Sequence, residues 1–194
     1  SKQADVLMLF YLFSAEELVE IFGRLGYQFD GAVIPRTIDY YLQRTSHGST
    51  LSGVVHAWVL ARATRSSSWP LFTKALRSDV EDIQGGTTVE GIHLGAMAGT
   101  VDLLQRCYTG LELRGGELRF HPVLPDELRQ LSFQLRYRKH SLSIELTPTT
   151  LSVASAAGVA EAITIIVDEQ AVVLEAGARR SIPFAGTHPR PSDG

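Results

Sequence analysis

Leu131-Ser132-Phe133-Gln134-Leu135-Arg136-Tyr137-Arg138 alternates apolar and polar residues without a break. That is the period of a strand with one face turned to a core. Leu142, Ile144 and Leu146 then alternate with Ser143, Glu145 and Thr147, so a second strand follows, with Lys139-His140 standing where a tight turn is needed. That pair lacks the Gly or Asn usual in such turns. Outward from this hairpin the pattern repeats. Glu117 to His121 alternates ahead of the Pro122-Val123-Leu124-Pro125 break, and Leu151–Ala154, Ala162–Val167, Ala171–Leu174 and Arg180–Phe184 read as further short strands. Gly115-Gly116 reads as a turn. Short strands at this spacing predict an antiparallel β-sandwich over residues 112–184. Residues 185–194 hold Pro, Gly and Ser without apolar pattern, and are expected to form a disordered tail.

Upstream the period changes from two to about 3.6. Leu51, Val54, Val55, Trp58 and Val59 follow the i, i+3, i+4, i+7, i+8 stripe of an amphipathic helix. Ser14-Ala15-Glu16-Glu17 carries the signature of a capping box ahead of Leu18, Val19, Ile21 and Phe22. Asp5–Phe13 reads as a buried helix and Thr37–Arg44 as a short one. Leu71–Val80 reads as a helix introduced by Pro70 near its first turn, and Gly91–Tyr108 as a helix stopped by Gly110. Residues 1–111 are therefore expected to be all-α, and the whole chain an α + β multidomain arrangement of helices followed by strands.

Composition excludes several classes of function. The 194 residues carry 18 Lys+Arg against 21 Asp+Glu, a formal charge of -3, which disfavours a nucleic-acid binder or a polybasic membrane-surface protein. The apolar run Val6–Phe13 is too short to cross a bilayer. One cysteine, Cys107, forbids an internal disulfide and a Cys-based zinc site, so a cytoplasmic, reducing compartment is expected. Ser1-Lys2-Gln3-Ala4-Asp5 has no initiator Met and leads at once into apolar sequence, the expectation being a piece of a longer protein.

Two stretches bear chemistry. Thr45-Ser46-His47-Gly48-Ser49-Thr50-Leu51-Ser52 places hydroxyls, an imidazole and a glycine at the start of the clearest helix. First-turn N–H groups and the helix dipole make such a place an anion site, and equally an ordinary Ser/Thr N-cap. Gly91, Gly95 and Gly99 recur every four residues, which puts them on one helix face for a ligand or a tightly packed backbone. His93 and Glu90 beside them are a candidate donor and acid, or simply residues accommodated at a helix start. Asp79, Glu81 and Asp82 read as a solvated charged face, and His56 as packed or partly exposed. No metal site is expected.

These stretches carry a resemblance to glycoside hydrolase family 65, which contains the maltose, trehalose and kojibiose phosphorylases. It runs from Lys2-Gln3-Ala4-Asp5-Val6 through Thr45–Ser52, Asp82–Gly86 and Gly91–Thr100 to Leu118-Arg119-Phe120-His121-Pro122-Val123-Leu124-Pro125. The order and spacing of these segments are more specific than any one of them.

The resemblance implies the C-terminal helices of an (α/α)6 barrel followed by a β-sandwich domain. It implies that Lys2 and Gln3 contact the sugar, and that Thr45, His47, Gly48, Ser49 and Thr50, with His93, hold inorganic phosphate as co-substrate without any cofactor. The implied reaction is cleavage of an α-glucosyl disaccharide by phosphate with inversion. The general-acid glutamate of the family lies upstream of Lys-Gln, and no carboxylate here matches it, so this chain alone is expected to be inactive. A half-barrel is expected to associate with itself or with the missing N-terminal part. The alternatives are an α-glucoside hydrolase of the same family and a non-catalytic carbohydrate-binding or assembly module.

Overall fold

The structure is a computed structural model that describes residues 4–45, 49–63, 65–82, 86, 89 and 91–185. It divides into two compact units, Ser1–Leu103 and Leu104–Gly194. The described residues of the first hold the helices α1 (Met8–Leu12), α2 (Ala15–Arg24), α3 (Val33–Leu42), α4 (Thr50–Ala63), α5 (Arg65–Arg77) and α6 (Leu94–Asp102). None of these is long and apolar enough to cross a membrane.

In the helical unit α4 is the hub. Val54, Val55, Ala57, Trp58, Val59 and Ala61 are all buried, so the helix is covered nearly all round instead of showing the one-sided stripe its sequence suggests. Val55 and Val59 share a core with Ala4, Leu7 and Ile38, against which Tyr11, Ile34 and Leu42 also pack. The Tyr11 ring meets Trp58 edge to face at 4.7 Å. The segment expected as a buried helix over Asp5–Phe13 is shorter: only Met8–Leu12 is helical and none of it is buried, the burial falling to Leu7 just before it. At α2 the expected capping box is present, with Ser14 Oγ accepting from Glu17 N–H and Glu17 Oε2 accepting from Ser14 N–H at 2.7 Å.

Three more helices begin elsewhere than expected, α3 at Val33 instead of Thr37. α5 starts at Arg65, so Pro70 lies inside it. The cost of that proline is offset by packing along α4, where Ser68 Oγ donates to the Ala57 carbonyl at 2.7 Å and Phe72 and Ala75 are buried. α6 starts at Leu94, after Gly91 has taken a left-handed φ of 100° outside the helix. Of the three glycines expected on one face, only Gly99 meets a neighbour, since a Cβ there would stand 2.7 Å from Val54 Cγ1 while Gly95 faces open space. Past Asp102 the helix widens into a π turn, Leu103–Cys107, in place of the uninterrupted helix expected to Tyr108.

The second unit is two four-stranded sheets. β1 (Glu112–Arg114), β2 (Glu117–Phe120), β6 (Ile163–Val167) and β7 (Gln170–Leu174) form one in the order β1-β2-β6-β7. β3 (Leu131–Tyr137), β4 (His140–Leu146), β5 (Thr150–Ser155) and β8 (Arg179–Pro183) form the other in the order β3-β4-β5-β8. The pairings are antiparallel except β2 with β6, which is parallel. Leu142, Ile144, Leu146, Leu151, Val153 and Ile182 are the buried face of one sheet, and Leu118, Phe120, Ile163, Ile165 and Leu174 that of the other.

The hairpin turn between β3 and β4 is Arg138-Lys139, not Lys139-His140. Both residues take positive φ, 43° and 68°, and Tyr137 pairs with His140 as the last rung. His140 is instead buried, with Nδ1 on Ser155 Oγ and Nε2 on the Glu161 carbonyl, each at 2.7 Å. Two bonds to an interior ring fix the register of that rung, and turn propensity yields to them. Gly115-Gly116 is the β1–β2 turn, with φ of 60° and 80°.

Candidate functional site

The connections of the helical unit bring Ser49, Thr50 and His93 to one end. α4 and α5 run antiparallel, and a Cβ on Gly53 would lie 3.8 Å from Ala75 Cβ, so the N-terminus of α4 stands beside the C-terminus of α5. Two residues beyond α5, Asp79 accepts from the His93 backbone N–H at 2.9 Å, which places the start of α6 at the same end. Gly99 against Val54 completes the triangle. The N-termini of α4, carrying Thr50 with Ser49 just ahead of it, and of α6, carrying His93 as its N-cap, are thus neighbours across the end of α5. Two helix dipoles present their positive ends there.

The first turns supply donors. The His93 carbonyl accepts from Ala96 and Met97 at 2.9 and 3.1 Å, so Leu94 and Gly95 N–H have no partner within the helix. Ser49 and Thr50 are half-buried. Thr45 is buried, and its hydroxyl donates to the Tyr41 carbonyl at 2.6 Å, which ties the start of the loop to the end of α3. His47 and Gly48 of the expected anion loop, and Lys2 and Gln3 of the expected sugar contacts, lie outside the described residues, as does Glu90.

The sequence reading missed Asp79. It is no solvated acid: its side chain is 7% exposed, and Oδ1 lies 2.5 Å from His93 Nδ1 while Oδ2 takes the backbone N–H. Burial works to raise this carboxyl. The bonds from the His93 ring and backbone, with the charge of the imidazole, outweigh burial and hold it below its ordinary value of 3.8. Its two acidic neighbours are spent locally, Glu81 on Arg77 and Asp82 on the Gly86 N–H. Among the described residues no cluster of three His, Cys, Asp or Glu side chains is placed to hold a metal ion. Nothing periodic links positions 79 and 93, so only the fold reveals the pair. His56, by contrast, is buried within α4.

Residues 1–102 match the glycosyl hydrolase family 65 central catalytic domain, and residues 111–174 match the C-terminal domain of the same family. An uncharacterized glycosyl hydrolase of Mycobacterium tuberculosis (strain ATCC 25618 / H37Rv) is 56% identical over 165 residues, 85% of this chain and 12% of that protein. The trehalose 6-phosphate phosphorylase of Lactococcus lactis subsp. lactis (strain IL1403) is 34% identical over 180 residues, 92% of this chain and 23% of its own length. A solved structure described as a kojibiose phosphorylase from the human microbiome shares the fold, with TM-score 0.73 and 21% identity over 97% of this chain and 26% of that one. The chain therefore spans about a quarter or less of each of these relatives. On both matched segments, this chain belongs to glycosyl hydrolase family 65.

Proposed function

We propose that the chain is the C-terminal portion of an inverting glycoside phosphorylase, with residues 1–111 the last helices of an (α/α)6 barrel and 112–184 a β-sandwich. The complete protein cleaves an α-glucosyl disaccharide with inorganic phosphate, giving β-glucose 1-phosphate and a free sugar. Phosphate binds on the loop that starts at the anchored Thr45 and runs through His47, Gly48, Ser49 and Thr50, closed by His93. Lys2 and Gln3 contact the sugar. The observation that carries this reading is the convergence of two helix N-termini, Ser49, Thr50 and His93 at one end of the helical unit.

The chemistry follows from the donor set. Inverting hydrolysis needs a carboxylate base to activate water opposite the leaving group. Arg44–Ser52 contains Arg, His and hydroxyls but no Asp or Glu, a set suited to an anion that is already a nucleophile. A phosphate oxygen forms its bond to the anomeric carbon as the glycosidic C–O bond breaks. The leaving oxygen takes its proton from a glutamic acid upstream of Lys2, outside this chain.

The test is incubation of the complete protein with maltose, trehalose, kojibiose, nigerose and trehalose 6-phosphate, with and without phosphate. Phosphate-dependent glucose 1-phosphate is expected, with His47→Ala and Ser49→Ala each raising the KM for phosphate. Free glucose released equally without phosphate would sink the reading in favour of a hydrolase, the alternative that the name of the M. tuberculosis relative favours.

A further inference from the structure

The Asp79 carboxylate grips one residue twice, Oδ1 on the His93 ring and Oδ2 on the His93 backbone N–H. It does so between residues 14 positions apart in sequence, from just past the end of one helix to the N-cap of another. The grip is rigid at both ends. The Asp79 side chain is buried, and Ser78 before it is buried with its hydroxyl on the Ala75 carbonyl at 2.7 Å. His93 keeps φ -79° and ψ 81° and receives both first-turn bonds of α6.

An ionised carboxylate only accepts, so the 2.5 Å contact puts the shared proton on Nδ1 and leaves Nε2 as the nitrogen available to a ligand. With Nδ1 protonated, a neutral ring would turn a lone pair toward phosphate oxygens. Donation from Nε2 requires the imidazolium, with Asp79 as its counter-charge. The same carboxylate, through the backbone bond, aims the Leu94 and Gly95 N–H groups.

We propose that Asp79 is a positioning residue for phosphorolysis: it holds the doubly protonated His93 ring, and α6, at the angle in which Nε2–H and the first-turn N–H groups meet phosphate together. This rests on the phosphorylase reading above.

The test is kinetic, in the complete protein. Asp79→Ala is expected to raise the KM for phosphate about tenfold, as for a lost charge-assisted bond. The KM for disaccharide should stay within about twofold, the signature of a contact confined to one substrate. Asp79→Asn keeps an acceptor for the backbone N–H and should fall between wild type and Asp79→Ala. Should Asp79→Ala fail to fold, Asp79→Asn, checked by its melting temperature, carries the test. The Asp79→Asn, His93→Ala double variant should be no worse for phosphate than His93→Ala alone. Parallel losses for both substrates, or additive losses in the double variant, overturn the proposal and make Asp79 merely structural. An unchanged phosphate KM in His93→Ala overturns it by removing His93 from the site. Activity without phosphate dependence in the unmodified protein defeats instead the reading on which it rests.

Discussion

A methyl group on Gly99 would stand 2.7 Å from Val54 Cγ1, and Val54 is fully buried, so neither side yields cheaply. Gly95, in the same helix, meets nothing within 4 Å. Gly99→Ala is therefore expected to destabilise the protein by roughly 1–3 kcal/mol through overpacking, and Gly95→Ala to stabilise it by about 0.5–1 kcal/mol through helix propensity. Urea unfolding of the two variants beside wild type checks this, and equal effects would remove the close approach of α4 and α6. Asp79 makes a second prediction at this scale. Its folded carboxyl is held below 3.8, so its contribution to stability is fully present above that pH and is lost as the pH falls through the lower folded value. The melting temperature of Asp79→Asn should lie below wild type at pH 6, and the gap should close as the pH falls below about 4. A gap constant down to pH 3 would mean that the pair with His93 does not form.

Among the elements, local signals were legible where one residue satisfies its own neighbour. Ser14 and Glu17 form their reciprocal cap because both partners lie within one turn. Ser14→Ala should cost about 1 kcal/mol of stability, read as a lower midpoint in urea, and an unchanged midpoint would show that the exposed α2 contributes nothing to the cooperative unit. The alternation of β3 and β4 was legible for the same reason, since side chains two apart share a face whatever the partner strand. Element starts were not. Pro70 marks a first turn by propensity, yet α5 begins at Arg65 because contacts with α4 stabilise the turn before it. The Arg138-Lys139 turn takes positive φ without glycine because His140 is anchored in the interior by Ser155 and Glu161. The parallel pairing of β2 with β6 joins strands some 45 residues apart, a register no local pattern encodes.

For the whole molecule, the two units differ in how completely they cover their apolar residues. In the sheet unit β4 and β5 bury their inward residues, β3 keeps its apolar face half-buried, and Leu113, Val159 and Val173 are more than half exposed. In the helical unit Leu12, Leu25, Tyr27, Tyr40 and Leu94 are among those more than half exposed. Contiguous exposed apolar surface drives association. Residues 104–185 alone are expected to be monomeric with one cooperative urea transition, whereas the whole chain should elute as a larger species whose size falls with dilution. Light scattering on both separates the outcomes, and a monomeric whole chain at high concentration would refute the expectation.

What the sequence determined by itself was the change of period from helix to strand, the capping box, and the hydroxyl-rich start of α4. Each rests on interactions among residues a few positions apart, so the pattern carries the physics. What only the tertiary structure decided was which residues meet. Ser49, Thr50 and His93 come to one end because α5 folds back along α4 and the chain then returns, and Asp79 finds His93 because that return ends where α5 stops. Those encounters depend on helix lengths, on packing at single side chains such as Gly99 against Val54, and on a carboxylate buried only once the helices are in place. None of these has a period, and so none leaves a mark in the order of the residues.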